Sequence, residues 1–149
     1  MLGIRNKEDG KLIGATTISA KALQKDGEEI IGHSEQFIAP EYQRLGYISE
    51  TKAVMVDFLY KYSDRQSPPL ISNKAKFYTT CHALNKGSQA LQRKSGAISD
   101  GKVHEGGKLH FFASKDEILN SDLMRPKKND IHWTVTLDNG EQFGNTIRA

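Results

Sequence analysis

The strongest pattern in the chain is a β-prone run followed by a helical one, between Glu28 and Tyr60. The apolar residues of 30–38 predict a strand, which Pro40 ends because proline cannot donate to a strand ladder. From Tyr47, apolar residues recur at three- and four-residue intervals, which predicts a helix of about four turns with one buried stripe. The stripe consists of Tyr47, Thr51, Val54, Met55, Phe58, Leu59 and Tyr62.

The turn between this strand and helix, residues 43–49, carries the first candidate chemistry. Gly46 allows the backbone to come close to a ligand, and the first N–H groups of the helix point outward without partners. A turn of this kind binds anions, and a pyrophosphate is the usual occupant.

The other patterns predict a mixed chain of strands and helices. An Asp9-Gly10 turn joins the two apolar runs of a first hairpin, and the prolines within 64–73 predict a surface loop. Trp133 is expected to be buried against the sheet. The predicted elements are strands at 2–6, 12–18, 75–82, 98–103, 108–114, 131–137 and 141–147, a second helix before the strand at 98–103, and a short helix at 117–124.

Composition narrows the classes of function. The chain has 149 residues, a net charge of +3 and one cysteine, Cys81. It lacks an apolar run of the ~18 residues that span a bilayer, and its start does not resemble a signal peptide, so we expect no membrane contact and a cytoplasmic location. The mild charge suits an anionic cofactor, and the spread of basic residues argues against nucleic acid. No metal site is expected, because the five histidines are scattered.

Two segments resemble a known family. Residues 40–48, PEYQRLGYI, look like the acetyl-CoA-binding signature of the GNAT acetyltransferases, Q/R-x-x-G-x-G/A. Gln43 and Gly46 take the first two fixed places, and Ile48 stands where glycine or alanine is usual. The flanking sequence is similar to the branch that acetylates ribosomal-protein N-termini and small amines. Residues 85–97 resemble the N-x-x-S-x-x-L-x-x-K-x-G-F/A segment of the same enzymes.

The resemblance implies a fold of the α/β (α+β) class. It has a mixed, mostly antiparallel sheet with a central splayed parallel strand pair, flanked by helices, plus a C-terminal hairpin extension. We expect a GNAT-like acetyl-CoA-binding domain at 1–114 and an extension at 115–149 packed on the same domain. The family's first strand and helices would precede Met1, so we expect a truncated or split enzyme, or an open sheet edge covered by the tail, a homodimer or another partner.

The resemblance also implies a set of residues that bind acetyl-CoA. The backbone amides of the glycine turn would hold the pyrophosphate, and the end of the strand before it would pair with the pantetheine arm. Arg44 would contact a phosphate, although a solvated surface arginine is an equally ordinary interpretation. The implied cofactor-binding residues are Phe37, Ile38, Gln43, Arg44, Leu45, Gly46, Tyr47, Ile48, Ser49 and Asn85.

The candidate catalytic residues are Glu35, Ser88 and His33. Ser88 matches the place where a serine can protonate the leaving thiolate, but Asn-x-x-Ser before a helix is also a good capping sequence. Strand alternation groups Ile31, His33, Glu35 and Phe37 on one face, where Glu35 could order a water that deprotonates the amine, or His33 could serve. Both are equally well explained as polar residues on a solvated face.

The function that these residues predict is transfer of acetyl from acetyl-CoA to a primary amine, by direct attack in a ternary complex. The acceptor stays open between a protein N-terminus and a small amine. The alternative is a non-catalytic, truncated or split GNAT-fold protein that binds CoA or a partner chain. That alternative is favoured by the expected absence of the family's first strand and helices, and by Ile48. It is opposed by the matches at Gln43, Gly46, Asn85 and Ser88.

Overall fold

The computed structural model describes residues 1–19 and 23–149, and the side chains of Ile18, His33, Ser34 and Glu35 lie outside the description. Within these ranges seven strands form the main sheet, in the order β1-β2-β4-β5-β7-β6 with β3 paired to β4. Its strands are β1 (Leu2–Arg5), β2 (Leu12–Ile18), β3 (Leu23–Lys25), β4 (Glu28–Ile38), β5 (Lys76–His82), β6 (Ile98–His104) and β7 (Lys108–Ser114). The remaining elements are the hairpin β8 (Ile131–Thr136) and β9 (Gln142–Ile147), and the helices α1 (Tyr47–Asp64), α2 (Lys86–Lys94) and α3 (Lys115–Leu119).

The centre of the sheet is a parallel pair, β4 and β5, flanked by antiparallel strands on both sides. The two strands are in register only from Ile30↔Lys76 to Gly32↔Tyr78. Beyond that point β4 continues with β2 and β5 continues with β7, so the two strands part. The mixed, mostly antiparallel sheet with a splayed parallel pair is therefore confirmed, as is the C-terminal hairpin.

A bulge interrupts β4 just after the strands part. The register with β2 runs from Thr16↔Gln36 to Ile18↔His33, which places one extra residue in β4. Because side chains alternate with a period of two, one extra residue moves those beyond it to the opposite face. Ile31 is fully buried and Phe37 is 63% exposed. The prediction that these two residues share a face is therefore wrong.

Helix α1 is buried on two sides, not along one stripe. Tyr60 packs with Phe77 of the main sheet, whereas Phe58 packs edge-on against Trp133 and Phe143 of the β8–β9 hairpin. Trp133 is buried, as expected, but against α1 instead of the main sheet. Of the predicted stripe, Met55, Phe58 and Leu59 are buried. The second face adds Lys52, Ala53, Val56, Tyr60 and Ser63.

Two features of the sheet concern its edges. Strand β3 was not predicted, although Asp26-Gly27 between it and β4 is a hairpin signal of the same kind as Asp9-Gly10. Strand β1 is at the end of the strand order, and within the described ranges no other strand pairs with its outer edge.

None of the helices in those ranges is long and apolar enough to cross a membrane.

Candidate functional site

The turn after β4 places the N-terminus of α1 at the edge of the sheet where β4 and β5 have separated. Gly46 is the N-cap of α1 with φ of 87°, in the left-handed region, and no side chain caps the helix. The first N–H groups of α1 are therefore directed outward, as at any uncapped N-terminus. Arg44 also has a positive φ, 62°, so the turn bends twice within three residues. A tight turn that exposes helix amides is the arrangement that binds a phosphate group.

Beyond Gly32, β4 and β5 no longer pair, and we call the space between them the gap. The end of β4 has one side towards β2 and one towards this gap. Ala39 donates its N–H to the Ile13 carbonyl of β2 at 2.8 Å. Since the backbone polar groups of a strand alternate, Phe37 also faces β2 and Ile38 faces the gap. The Ile38 carbonyl accepts a hydrogen bond from Gln43 Nε2 at 2.8 Å, which fixes the turn to the strand end.

Helix α2 begins in the corresponding place after β5. Asn85 is its N-cap, and the side-chain Oδ1 accepts from the Ser88 backbone N–H at 3.0 Å. The capping interpretation of Asn85 is thus realised in the structure. The cap uses the Ser88 backbone, so the half-buried Ser88 hydroxyl has no part in it.

Helices α1 and α2 lie side by side behind these turns. Lys52, in the second turn of α1, donates its ammonium to Gln92 Oε1 of α2, and Ser95 Oγ lies 3.4 Å from the same nitrogen. Each helix follows one strand of the splayed pair, so both N-termini open at the same end of the gap. Because β4 and β5 are parallel, the glycine turn after β4 and the Asn85–Ser88 turn after β5 lie at the same edge of the sheet.

Comparison with solved structures identifies this architecture. A GCN5-related N-acetyltransferase from Brucella melitensis superposes on 94% of the chain with a TM-score of 0.57 at 15% identity. A spermidine N-acetyltransferase chimera from Vibrio cholerae covers 79% at 0.57 and 15%, and the ribosomal-protein-S5-alanine acetyltransferase of Vibrio fischeri covers 78% at 0.50 and 15%. The chain has the GNAT acetyltransferase fold.

The likeness to GNAT proteins concerns fold and not sequence. No known family profile and no curated protein matches the sequence itself. The chain spans 61% of the length of the Brucella protein, 68% of the chimera and 61% of the Vibrio fischeri enzyme.

Lys52 is a buried charged residue between α1 and α2 that the sequence did not single out. It is 2% exposed, and burial lowers its pKa to about 8, an effect that the nearby Cys81 thiol partly offsets. It lines a small cavity with Gln92 and Ser95 between the two helices and the sheet. The signal was present, because Lys52 stands at helical spacing from the buried residues Val56 and Leu59.

The remaining candidate residues belong to β4, to the turn after it and to the first turn of α1. His33 and Glu35 belong to the backbone of β4 at the bulge, and their side chains lie outside the described part of the chain. Arg44 and Leu45 are exposed in the turn, with Leu45 63% exposed. Tyr47, Ile48 and Ser49 are half-buried in the first turn of α1. Tyr47 also packs edge-on against Tyr42, with ring centroids 6.4 Å apart.

Proposed function

We propose that this chain is an acyl-CoA-dependent N-acyltransferase that uses acetyl-CoA as cosubstrate and a primary amine as acceptor. The observation that carries the proposal is the uncapped N-terminus of α1, preceded by Gly46 at φ of 87°, at the open end of the splayed β4–β5 pair. The gap between these strands gives an extended ligand a path to the sheet. The helix amides give its anionic end a place to bind.

The fit to acetyl-CoA has support in the shape of the turn. A Cβ built on Gly46 meets nothing within 4 Å, so the space above the glycine is free for a ligand. In the proposed complex the backbone amides of Leu45 to Ser49 hold the pyrophosphate, with Arg44 beside them. The Ile38 N–H pairs with the pantetheine arm, since its carbonyl is engaged by Gln43. Phe37, whose side chain is 63% exposed, and Asn85, the N-cap of α2, are the further proposed contacts of the cofactor.

The proposed chemistry is direct attack of a neutral amine on the thioester. The new C–N bond forms as the C–S bond breaks, the amine proton passes to a water ordered by Glu35 or to His33, and the thiolate receives a proton. Ser88 is the proposed proton donor, because its hydroxyl stands in the first turn of α2 and is not used by the cap. An outward N–H at the mouth of the gap stabilises the thioester oxygen in the transition state.

The acceptor belongs to the class of primary amines, either a protein N-terminus or a small amine. We place the acetyl-CoA-binding part at residues 1–114 and treat 115–149 as an extension, which contributes the hairpin that covers α1. The cytoplasmic location and the partner at the sheet edge stay predictions.

The proposal is tested by calorimetric titration of the purified chain with acetyl-CoA, with desulfo-CoA and ATP run beside it. Selective binding of acetyl-CoA and desulfo-CoA over ATP supports the site, because the two share the pantetheine arm that ATP lacks. An amine screen with detection of free thiol then tests transfer. A folded chain that binds ATP as well as it binds acetyl-CoA would contradict the pantetheine path.

A second function, a non-catalytic GNAT-fold protein that binds CoA or a partner chain, is favoured by one observation. The outer edge of β1 has no partner strand within the described residues, and an open edge is a template for another chain. Binding of acetyl-CoA without thiol release against any amine, together with a mass above that of one chain in solution, would support this function over the first.

A further inference from the structure

Three side chains near the tip of the β6–β7 hairpin form a cluster apart from the proposed acetyl-CoA site. They are Asp100 and His104 of β6 and His110 of β7, and one potential ligand atom from each lies within 4.8 Å of the others. None of them belongs to the two GNAT-like motifs, so the proposed transfer reaction gives no reason for their arrangement.

A bulge in β6 builds this cluster. The pairing with β7 passes from Ser99↔Phe111 to Val103↔Leu109, so β6 has two extra residues opposite His110. Bulges of this kind turn a side chain away from its regular direction, often next to a functional site. Here the bulge brings Asp100 and His104 towards the residue that lies across from it.

The spacing within the cluster suits a transition-metal ion. The rings of His104 and His110 stack with centroids 3.6 Å apart, and His104 Nε2 lies 2.5 Å from Asp100 Oδ2. Two imidazole nitrogens on a tetrahedral zinc ion at 2.0–2.1 Å are ~3.4 Å apart. Coordination requires the His104 ring to rotate until its lone pair converges with that of His110, whose ring the Tyr78 hydroxyl orients. The side chains of His104 and Asp100 are 32% and 30% exposed, which leaves room for this rotation.

Two further contacts orient the ligands from outside. Asp100 Oδ1 accepts the Lys102 backbone N–H at 3.0 Å, and Oδ2 contacts His104 Nε2. The Tyr78 hydroxyl lies 3.5 Å from His110 Nδ1, so Nε2 is the ring nitrogen that faces away from Tyr78. Outer partners of this type fix the ring orientation and raise the basicity of metal ligands.

We propose that Asp100, His104 and His110 form a binding site for one zinc-class divalent ion, with water as the fourth ligand. Two imidazoles and a carboxylate favour zinc and its neighbours over magnesium and calcium. Sequence inspection missed the site because its ligands are four and six residues apart and meet only across the hairpin. The ion ties the β6 bulge to β7 and, through Tyr78, to the residue where β5 leaves β4. The site does not depend on the acyltransferase proposal.

The test is calorimetric titration of the full chain, stripped with a chelator, with Zn²⁺ and with Mg²⁺. One equivalent of zinc and no magnesium is the expected result. His104→Gln and His110→Gln should each abolish saturable zinc binding, and Tyr78→Phe should weaken it ~10-fold through loss of the outer partner. His132→Gln is the matched control, since His132 is an exposed strand histidine hydrogen-bonded to Thr146 and should bind zinc as the wild type does.

X-ray absorption at the zinc edge identifies the ligands directly, and two imidazole nitrogens with oxygen are expected. Loss of zinc binding supports the site only in variants whose circular dichroism spectrum matches that of the wild type. Asp100→Asn keeps the shape of the side chain and replaces any histidine variant that does not fold. Stoichiometric zinc binding that persists in both histidine variants would place the ion elsewhere and overturn the site. Absence of saturable binding by the folded wild type would overturn it as well.

Discussion

The ammonium of Lys52 in α1 donates to the side-chain amide oxygen of Gln92 in α2, with both residues almost fully buried. This contact joins the two helices whose N-termini border the gap between β4 and β5. A lysine in this position carries a desolvation cost that a surface lysine does not have, and that cost depends on pH.

The first prediction concerns the stability of the protein against pH. The pKa of Lys52 falls from 10.5 to about 8 on burial. Between these values the unfolded chain holds the proton and the folded chain does not, so the free energy of unfolding rises with pH from about 8 to 10.5. Below pH 8 the full penalty remains. From pH 7 to 9.5, the wild type should gain about 2 kcal/mol relative to Lys52→Met, measured by urea unfolding. Parallel pH profiles of the two proteins would contradict the burial of a titrating Lys52.

The second prediction separates strain from ligand binding at the glycine turn. Gly46 and Gly10 both have positive φ, and a Cβ added to either meets nothing within 4 Å. Gly46→Ala and Gly10→Ala should each lose about 1–2 kcal/mol of stability from the left-handed backbone. Only Gly46→Ala should weaken acetyl-CoA binding, by ~10-fold or more, which is about 1.4 kcal/mol. Equal affinities of the two variants in calorimetry would exclude the turn as the pyrophosphate site.

The third prediction concerns the start of α2, where a cap and a proton donor can be told apart. Asn85→Ala removes the acceptor of the Ser88 N–H and should cost about 1 kcal/mol of stability. Ser88→Ala keeps that backbone N–H, so its stability should be within ~0.5 kcal/mol of the wild type. If the hydroxyl protonates the thiolate, its removal should lower kcat by ~100-fold. An unchanged kcat in Ser88→Ala would remove this residue from the mechanism.

The fourth prediction addresses the base. Glu35→Gln should lower kcat by ~100-fold with nearly normal acetyl-CoA affinity, because the carboxylate acts on the amine and not on the cofactor. Glu28→Gln on the same strand is the control. Glu28 forms a surface ion pair with Lys76 at 3.0 Å, and its loss should leave kcat unchanged. If both variants keep the wild-type rate, His33→Gln is the next variant, and a third unchanged rate would leave the proposed base without a residue on β4.

The fifth prediction concerns the attachment of the C-terminal hairpin. Asp57 Oδ2 accepts from Trp133 Nε1 and from Asn145 Nδ2, each at 2.9 Å. Asp57→Ala leaves the buried Trp133 Nε1 without its acceptor, whereas the exposed Asn145 amide can bond water, so the variant should lose about 1–3 kcal/mol in urea unfolding. Asp64→Ala, at the exposed end of the same helix, should cost less than ~0.5 kcal/mol. The hairpin would be attached by apolar packing alone if the two variants were equally stable.

The sequence was sufficient for the elements that short-range patterns govern. Asp9-Gly10 predicted the first hairpin, and the apolar spacing from Tyr47 predicted a helix where α1 lies. The motif around Gly46 and the Asn85 segment led to the splayed sheet, because a resemblance carries topology that periodicity alone does not.

What the sequence did not reveal depended on long-range contacts. The bulge in β4 is a mismatch of register with β2, and the residues of β4 alone contain no sign of it. The burial of Lys52 follows from its contacts with α2, and the burial of Tyr60 from its packing on Phe77 of β5. The hairpin at 131–147 covers the other side of α1, at Phe58. For the same reason the base could not be chosen, since the side to which a residue at a bulge points is decided by its neighbours.

The double cover of α1 also has a consequence for synthesis on the ribosome. The partners of Asp57 are synthesised much later, since Trp133 follows it by 76 residues and Asn145 by 88. Phe58 and Tyr62 likewise contact Phe143 only when the hairpin has formed. Translation at roughly 5–20 residues per second leaves this apolar surface of a nascent helix uncovered for several seconds. A chaperone that binds aromatic segments has its best opportunity in that interval, before residues 131–147 emerge from the ribosome.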